Sequence, residues 1–322
     1  MCDLLKMAPL QWDMLKPQLS KSSINNRFGH EYPEGKEFAV CLIHDIDLVF
    51  PSLSSIFHLS HRQMKKGSIK DGFKALFSRF GRKFNPFFNF EEIIELERKY
   101  DATSGFYFAV LQKGRKGYNY NISDLACELK DIRENGWEVG FLGSQSLCCD
   151  AEDMLSQKLQ LEDVLRDKVL GYVSPQNSFT TPETWKMLDL AGFEYITTYV
   201  DTKATDLSTN LYYPLRAHDH EKKDIDIIVL PLNVMNYNIS GSFVSPNGMS
   251  NDIEEVWQST KELIDQVSER SGVLTLRWPN TAIMGDGLDL YEKILSYCSE
   301  KNAWMTSGKE IIKWWSQSIL KG

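Results

Sequence analysis

The chain has 322 residues, 42% hydrophobic and 12% aromatic, which is enough apolar surface for one large globular domain and too much for a disordered chain. A formal net charge of -8 and a pI near 5.4 exclude the basic footprint that a phosphate backbone demands, so no nucleic-acid partner is expected. No apolar run reaches membrane-spanning length, and no transmembrane segment is expected.

The opening Met1-Cys2-Asp3-Leu4-Leu5-Lys6-Met7 carries an acid and no sustained apolar stretch, unlike a secretory leader. Six cysteines without paired spacing fit a reducing compartment, so a cytoplasmic location is expected. On that expectation the sequons at Asn121 and Asn238 are chance matches, and the adjacent Cys148-Cys149 reads as incidental rather than as a redox device. Residues 1–36 read as an extension and 37–322 as the folded domain.

The first strand signal is the apolar run 38–43, which ends in His44-Asp45-Ile46-Asp47. An uninterrupted apolar run fits a strand buried on both faces of a parallel sheet, and the emerging end of such a strand is where α/β folds house chemistry. Alternation along extended chain puts Asp45 and Asp47 on one side, as two carboxylates able to hold a cation or share acid/base work. Residues 58–88 follow, rich in Lys, Arg and Phe. They read as an inserted amphipathic helix, or as a surface for an anionic lipid or glycan-linked carrier.

Asn89 is placed to cap a helix through Glu97. Strands are expected over 106–110, 137–142, 169–173, 195–199, 227–232 and 273–278. Between them the spacing predicts helices capped by Ser123 and stopped by Gly136, over 151–167, from Thr181-Pro182 to Gly192, within 251–270, over 288–301, and from 307 onward with Ser307 and Glu310 as a capping box. This alternation predicts an α/β protein built as a (β/α) barrel, distorted or partly open. No Gly-x-Gly-x-x-Gly follows any strand, which argues against a Rossmann sheet.

Taken together, the strand ends resemble the polysaccharide deacetylases of the NodB-homology type, in the branch whose first motif reads His-Asp-x-Asp. The resemblance runs from about Glu37 to Trp315. It is carried by His44-Asp45-Ile46-Asp47, Asn85-Pro86-Phe87-Phe88-Asn89-Phe90-Glu91, Leu96-Glu97-Arg98-Lys99-Tyr100 and Ser104-Gly105-Phe106-Tyr107-Phe108. Asn135-Gly136-Trp137-Glu138-Val139-Gly140, Thr181-Pro182-Glu183-Thr184-Trp185, Ala191-Gly192-Phe193-Glu194-Tyr195 and Leu230-Pro231-Leu232-Asn233-Val234-Met235 follow in family order. The resemblance implies a distorted NodB-type barrel and metal-assisted hydrolysis of an N-acetyl group on a glycan. It places Asp45 at the base position and Asp47 at a metal-ligand position.

Other positions depart from that pattern. Leu142 and Ser146 stand where the second motif has histidines. Val173 replaces the arginine that would orient the base, which leaves Asp45 without a fixed cation. Asn236 and Ile196 stand where acids are expected, and Pro279 where the family has a histidine acid. Leucine cannot ligate zinc and proline has no proton to give. One expectation is therefore an inactive or altered glycan-binding relative with no cofactor, keeping aromatics such as Tyr172 and Trp278, with Trp185, Tyr199 and Tyr237, on the strand-end face.

The alternative is an active hydrolase with a relocated divalent-metal site, zinc above all, in which His218 and His220 join Asp45 and Asp47. His44, His58 and His61 are further ligand candidates. In the plainest reading, Asp45 and Asp47 only bond loop amides. A partner protein that completes the site is also compatible with the sequence.

Overall fold

The computed structural model describes residues 32–46, 48–50, 85–110, 120–143, 151–174, 183–199, 212–218, 221, 223–237, 242–245, 248–250 and 252–321. The expectations for residues 58–84, and for Asp47, Ser146, Cys148, Cys149 and His220, lie outside these residues.

Strand β1 (Phe38–Ile46) is buried along its whole length. It is followed by α1 (Phe90–Lys99), β2 (Gly105–Phe108), α2 (Ala126–Glu134), β3 (Glu138–Leu142), α3 (Ala151–Leu165), β4 (Gly171–Val173), α4 (Glu183–Leu190) and β5 (Tyr195–Tyr199). Then come β6 (Leu215–His218), β7 (Asp224–Leu232), β8 (Val234–Tyr237), β9 (Ser242–Ser245), β10 (Gly248–Ser250), α5 (Ile253–Ser268), β11 (Val273–Arg277), α6 (Asp286–Glu300), β12 (Ala303–Thr306) and α7 (Gly308–Lys321).

Among the described residues one sheet runs β10-β9-β8-β11-β1-β2-β3-β4-β5-β7-β6, with β12 beside the first half of β1. The run from β11 through β1 to β5 and β7 is parallel throughout. Strands β7 and β8 are successive parts of one extended segment broken at Asn233. Because β7 pairs with β5 and β8 with β11, this segment joins the two flanks of the sheet. Asn233 secures the junction: its amide donates to Thr275 O at 3.2 Å and its Oδ1 accepts from Thr275 N at 2.7 Å. The sheet thus curls into the expected distorted (β/α) barrel, with helices outside.

Alternation along β1 divides the core. Phe38, Val40, Leu42 and Ile46 pack outward beneath the helices, and Ala39, Cys41 and Ile43 pack into the barrel. Each large apolar side chain so buried contributes roughly 1.5–3 kcal/mol.

Two local expectations for helix caps, at Asn89 and Ser123, gave way to other partners. Asn89 makes no cap bond; its Nδ2 donates to Asn280 O at 3.0 Å. Asn121, not Ser123, caps the turn that opens into α2, accepting from Ser123 N at 3.2 Å. The start of α7 is met from across the barrel, where Glu138 Oε2 accepts from Lys309 N at 2.9 Å. Gly136 and Gly192 do end their helices at positive φ, 94° and 73°.

Two tyrosines fill the barrel floor by lying against glycine backbone. A Cβ on Gly140 would collide with the Tyr107 ring, and one on Gly105 would stand 2.7 Å from its other edge. A Cβ on Gly171 would collide with Tyr195. Both rings are fully buried and cannot swing aside. Gly140→Ala is therefore expected to cost about 1–3 kcal/mol by overpacking, read as a lowered midpoint in thermal melting, with recovery in Gly140→Ala/Tyr107→Leu.

Candidate strand-end site

The end of β1 sends its polar side chains to opposite faces. Asp45 turns into the barrel, where Arg277 of β11 meets it: Nε donates to Oδ2 at 2.7 Å and Nη2 lies 2.5 Å from the same oxygen. Arg277 Nη1 donates to Ser174 O at 2.9 Å, so the guanidinium spans the barrel mouth from β11 to the end of β4. Both side chains are 7% exposed, and among the described residues Asp45 Oδ1 has no hydrogen-bond partner.

This corrects the expectation drawn from Val173. Val173 is fully buried in the inner wall, and Asp45 does have a fixed cation beside it, Arg277 from β11. The sequence signal was available: Val273, Thr275 and Arg277 alternate on the inner face of a five-residue apolar strand.

His44 turns outward, away from the barrel. Its Nδ1 is 2.8 Å from Trp278 O and its Nε2 is 2.8 Å from Glu97 Oε1. With both nitrogens committed to oxygen partners, no ring lone pair is left for a metal, so His44 is not a ligand. Glu97 itself is wholly buried and also accepts from Tyr291 OH at 2.7 Å, Ser104 Oγ at 2.8 Å and Trp137 Nε1 at 2.5 Å. Sequence reading placed Glu97 in a helix but gave it no role. It falls on the buried stripe Phe90, Ile93, Ile94, Glu97, and an acid at that spacing is the sign of a buried partner.

Below the mouth, Tyr107 OH and Tyr195 OH are 2.5 Å apart, and Tyr195 donates to Glu138 Oε1 at 2.7 Å. Burial pushes the Glu138 carboxyl above its ordinary range, against the opposing pull of Lys309 N, Tyr195 and Ser307. Burial, with Glu138 nearby, raises both tyrosine hydroxyls further still.

Tyr172 is 2% exposed and stacks on Phe141 at 5.9 Å between sheet and helices. Trp278 is 1% exposed and packs on Tyr291 at 5.5 Å. Neither ring faces the barrel mouth: Tyr172 occupies an outward position on β4, and Trp278, directly after β11, packs in the same outer core. Trp185 is likewise core.

His218 pairs with Asp224, the first residue of β7, whereas the parallel strands deliver Asp45 at their other end. The backbone therefore does not bring His218 toward Asp45. Leu142, 1% exposed, fills the inner wall beside Val173. Beyond Trp278, Pro279 begins a turn whose Asn280 donates to Leu48 O at 2.7 Å and Phe87 O at 2.9 Å, bracing the loop after β1.

No protein-family model matches the chain, and no curated protein matches it. Among solved structures, a protein from Mycobacterium smegmatis assigned as a polysaccharide deacetylase is similar at a TM-score of 0.57 and 14% identity, over 90% of this chain and 94% of that one. The chain has the polysaccharide deacetylase fold. A CE4 family pseudoenzyme from Bacillus anthracis matches at a TM-score of 0.42 and 12% identity, over 87% of this chain and 66% of that one. A xylanase-borne CE4 domain from a Trinervitermes trinervoides hindgut metagenome matches at 0.45 and 8%, over 87% and 91%.

The divalent metal implied by the deacetylase fold does not fit the described residues. Asp45 is held by a guanidinium, Leu142 offers no donor, and His44 faces away. Among the described residues no three His, Cys, Asp or Glu side chains converge as a ligand set, and no helix is long and apolar enough to cross a membrane.

Two outcomes follow from this geometry. Glu97→Ala strands His44 and the three other donors, and is expected to lower stability by about 3–5 kcal/mol in denaturant melts. Because burial favours neutral Glu138 in the folded chain, its contribution is complete below the ordinary glutamate value and is lost as pH rises through the elevated one. As pH rises above the ordinary glutamate value, the melting temperature should therefore fall more in the wild type than in Glu138→Gln.

Proposed function

We propose that this chain is a glycan-binding relative of the polysaccharide deacetylases that does not carry out metal-dependent N-deacetylation. The carrying observation is the Arg277 guanidinium bonded to Asp45 at the strand end, with Leu142 closing the adjacent wall. A fixed cation at the mouth raises the cost of holding a divalent metal there, and an aliphatic wall supplies nothing to offset it. The deacetylase fold and the His-Asp-x-Asp end of β1 support a glycan, free or carrier-linked, as the ligand class. A metal site assembled from Asp45, Asp47, His218 and His220 has less support, since the start of β7 lies at the far end of the barrel.

The purified full chain, incubated with zinc and N-acetylated chito-oligosaccharides, is expected to release no acetate and to retain no stoichiometric metal after dialysis. Stoichiometric zinc and acetate release, both lost in Asp47→Ala, would overturn this reading.

A further inference from the structure

Arg277 divides the two oxygens of Asp45 between two tasks. Its Nε and Nη2 both address Oδ2, while among the described residues Oδ1 has no partner although the side chain is more than nine-tenths buried. A buried carboxylate oxygen without a donor is costly, and in a native site it calls for a group that arrives from outside the protein. Other unmet groups lie on the same inner surface. Thr275, between Val273 and Arg277 on β11, and Thr197, two residues beyond Tyr195 on β5, are fully buried, and neither hydroxyl has a partner among the described residues. At the mouth Asp45 therefore presents an acceptor of fixed orientation, the complement of a hydroxyl or N–H donor on a polyhydroxylated or acetamido ligand.

We propose that Arg277 is the positioning residue of this site, taking from β11 the place left empty by Val173 on β4. It holds Asp45 so that Oδ1 accepts a hydrogen bond from a sugar hydroxyl or acetamido N–H. This rests on the glycan-binding reading and adds the group that orients the ligand. Sharing Ser174 O fixes the guanidinium plane, so a point charge such as lysine reproduces the attraction but not the paired geometry.

The test is calorimetric titration of the full chain with tetra-N-acetylchitotetraose and with its de-N-acetylated counterpart, for wild type, Asp45→Asn, Arg277→Lys and Arg277→Ala. Thermal melting of each variant checks folding. Asp45→Asn, nearly isosteric, is expected to weaken binding roughly ten- to hundred-fold. Arg277→Lys should fall between it and wild type. Added guanidinium ion should restore binding to Arg277→Ala and leave Asp45→Asn unchanged, which a purely structural role for Arg277 would not produce. Selective loss with the acetylated tetramer assigns the acetamido N–H as the donor, and equal loss with both assigns a hydroxyl.

Binding by Asp45→Asn equal to wild type overturns the proposal while leaving glycan binding intact. Absence of binding by the wild type overturns both. Should Arg277→Ala fail to fold, the comparison of Asp45→Asn and Arg277→Lys decides.

Discussion

The buried carboxylate of Glu97 is the contact on which the arrangement of this molecule depends. It takes hydrogen bonds from the end of β1, the approaches to β2 and β3, and the middle of α6 through His44, Ser104, Trp137 and Tyr291. A carboxylate sealed from water is tolerable only when its lone pairs are filled, and here four separate segments fill them. Each segment is thereby held in register against α1. His44, the first residue of the His-Asp-x-Asp end, belongs to this outer network and fixes the side of β1 on which Asp45 must emerge.

Inside the barrel an ion pair fixes the polar side chain at the end of β1. Asp45 and Arg277 meet on neighbouring parallel strands, and the guanidinium also reaches Ser174 across the mouth. The acid at the end of β1 is thus oriented by a cation supplied from the neighbouring strand β11. Leu142 and Val173 line the inner wall next to it. Beneath them, Tyr107 and Tyr195 lie on glycine backbone and pass their hydroxyls to Glu138, which in turn receives the first turn of α7. The floor is therefore a packed and hydrogen-bonded core, and the recognition proposed for this protein is confined to the mouth.

The strand and helix order was legible because burial on both faces leaves continuous apolar runs, as in residues 38–43, and because Gly136 and Gly192 announce helix ends. Four-residue β12 was missed, since a short run after a helix has no period of its own; it exists because β1 offers it a partner. The cap proposed from local spacing at Asn89 yielded to a bond with Asn280, and Glu138 meets the first turn of α7; both partners are distant in sequence and near in space. Tyr172 and Trp278 were misread as ligand platforms because composition cannot tell which side of a strand faces the helices.

By itself the sequence determined the barrel architecture and the place of Asp45 at a strand end, and showed that Leu142 offers no donor there, because these follow from residue type and hydrophobic period along one segment. Only the tertiary structure decided that His44 faces outward to Glu97, that Arg277 supplies the cation missing at Val173, and that Tyr172 and Trp278 are core. Each of those depends on which residue a neighbouring strand or helix brings opposite. That pairing is fixed by register and barrel closure rather than by anything in the local sequence.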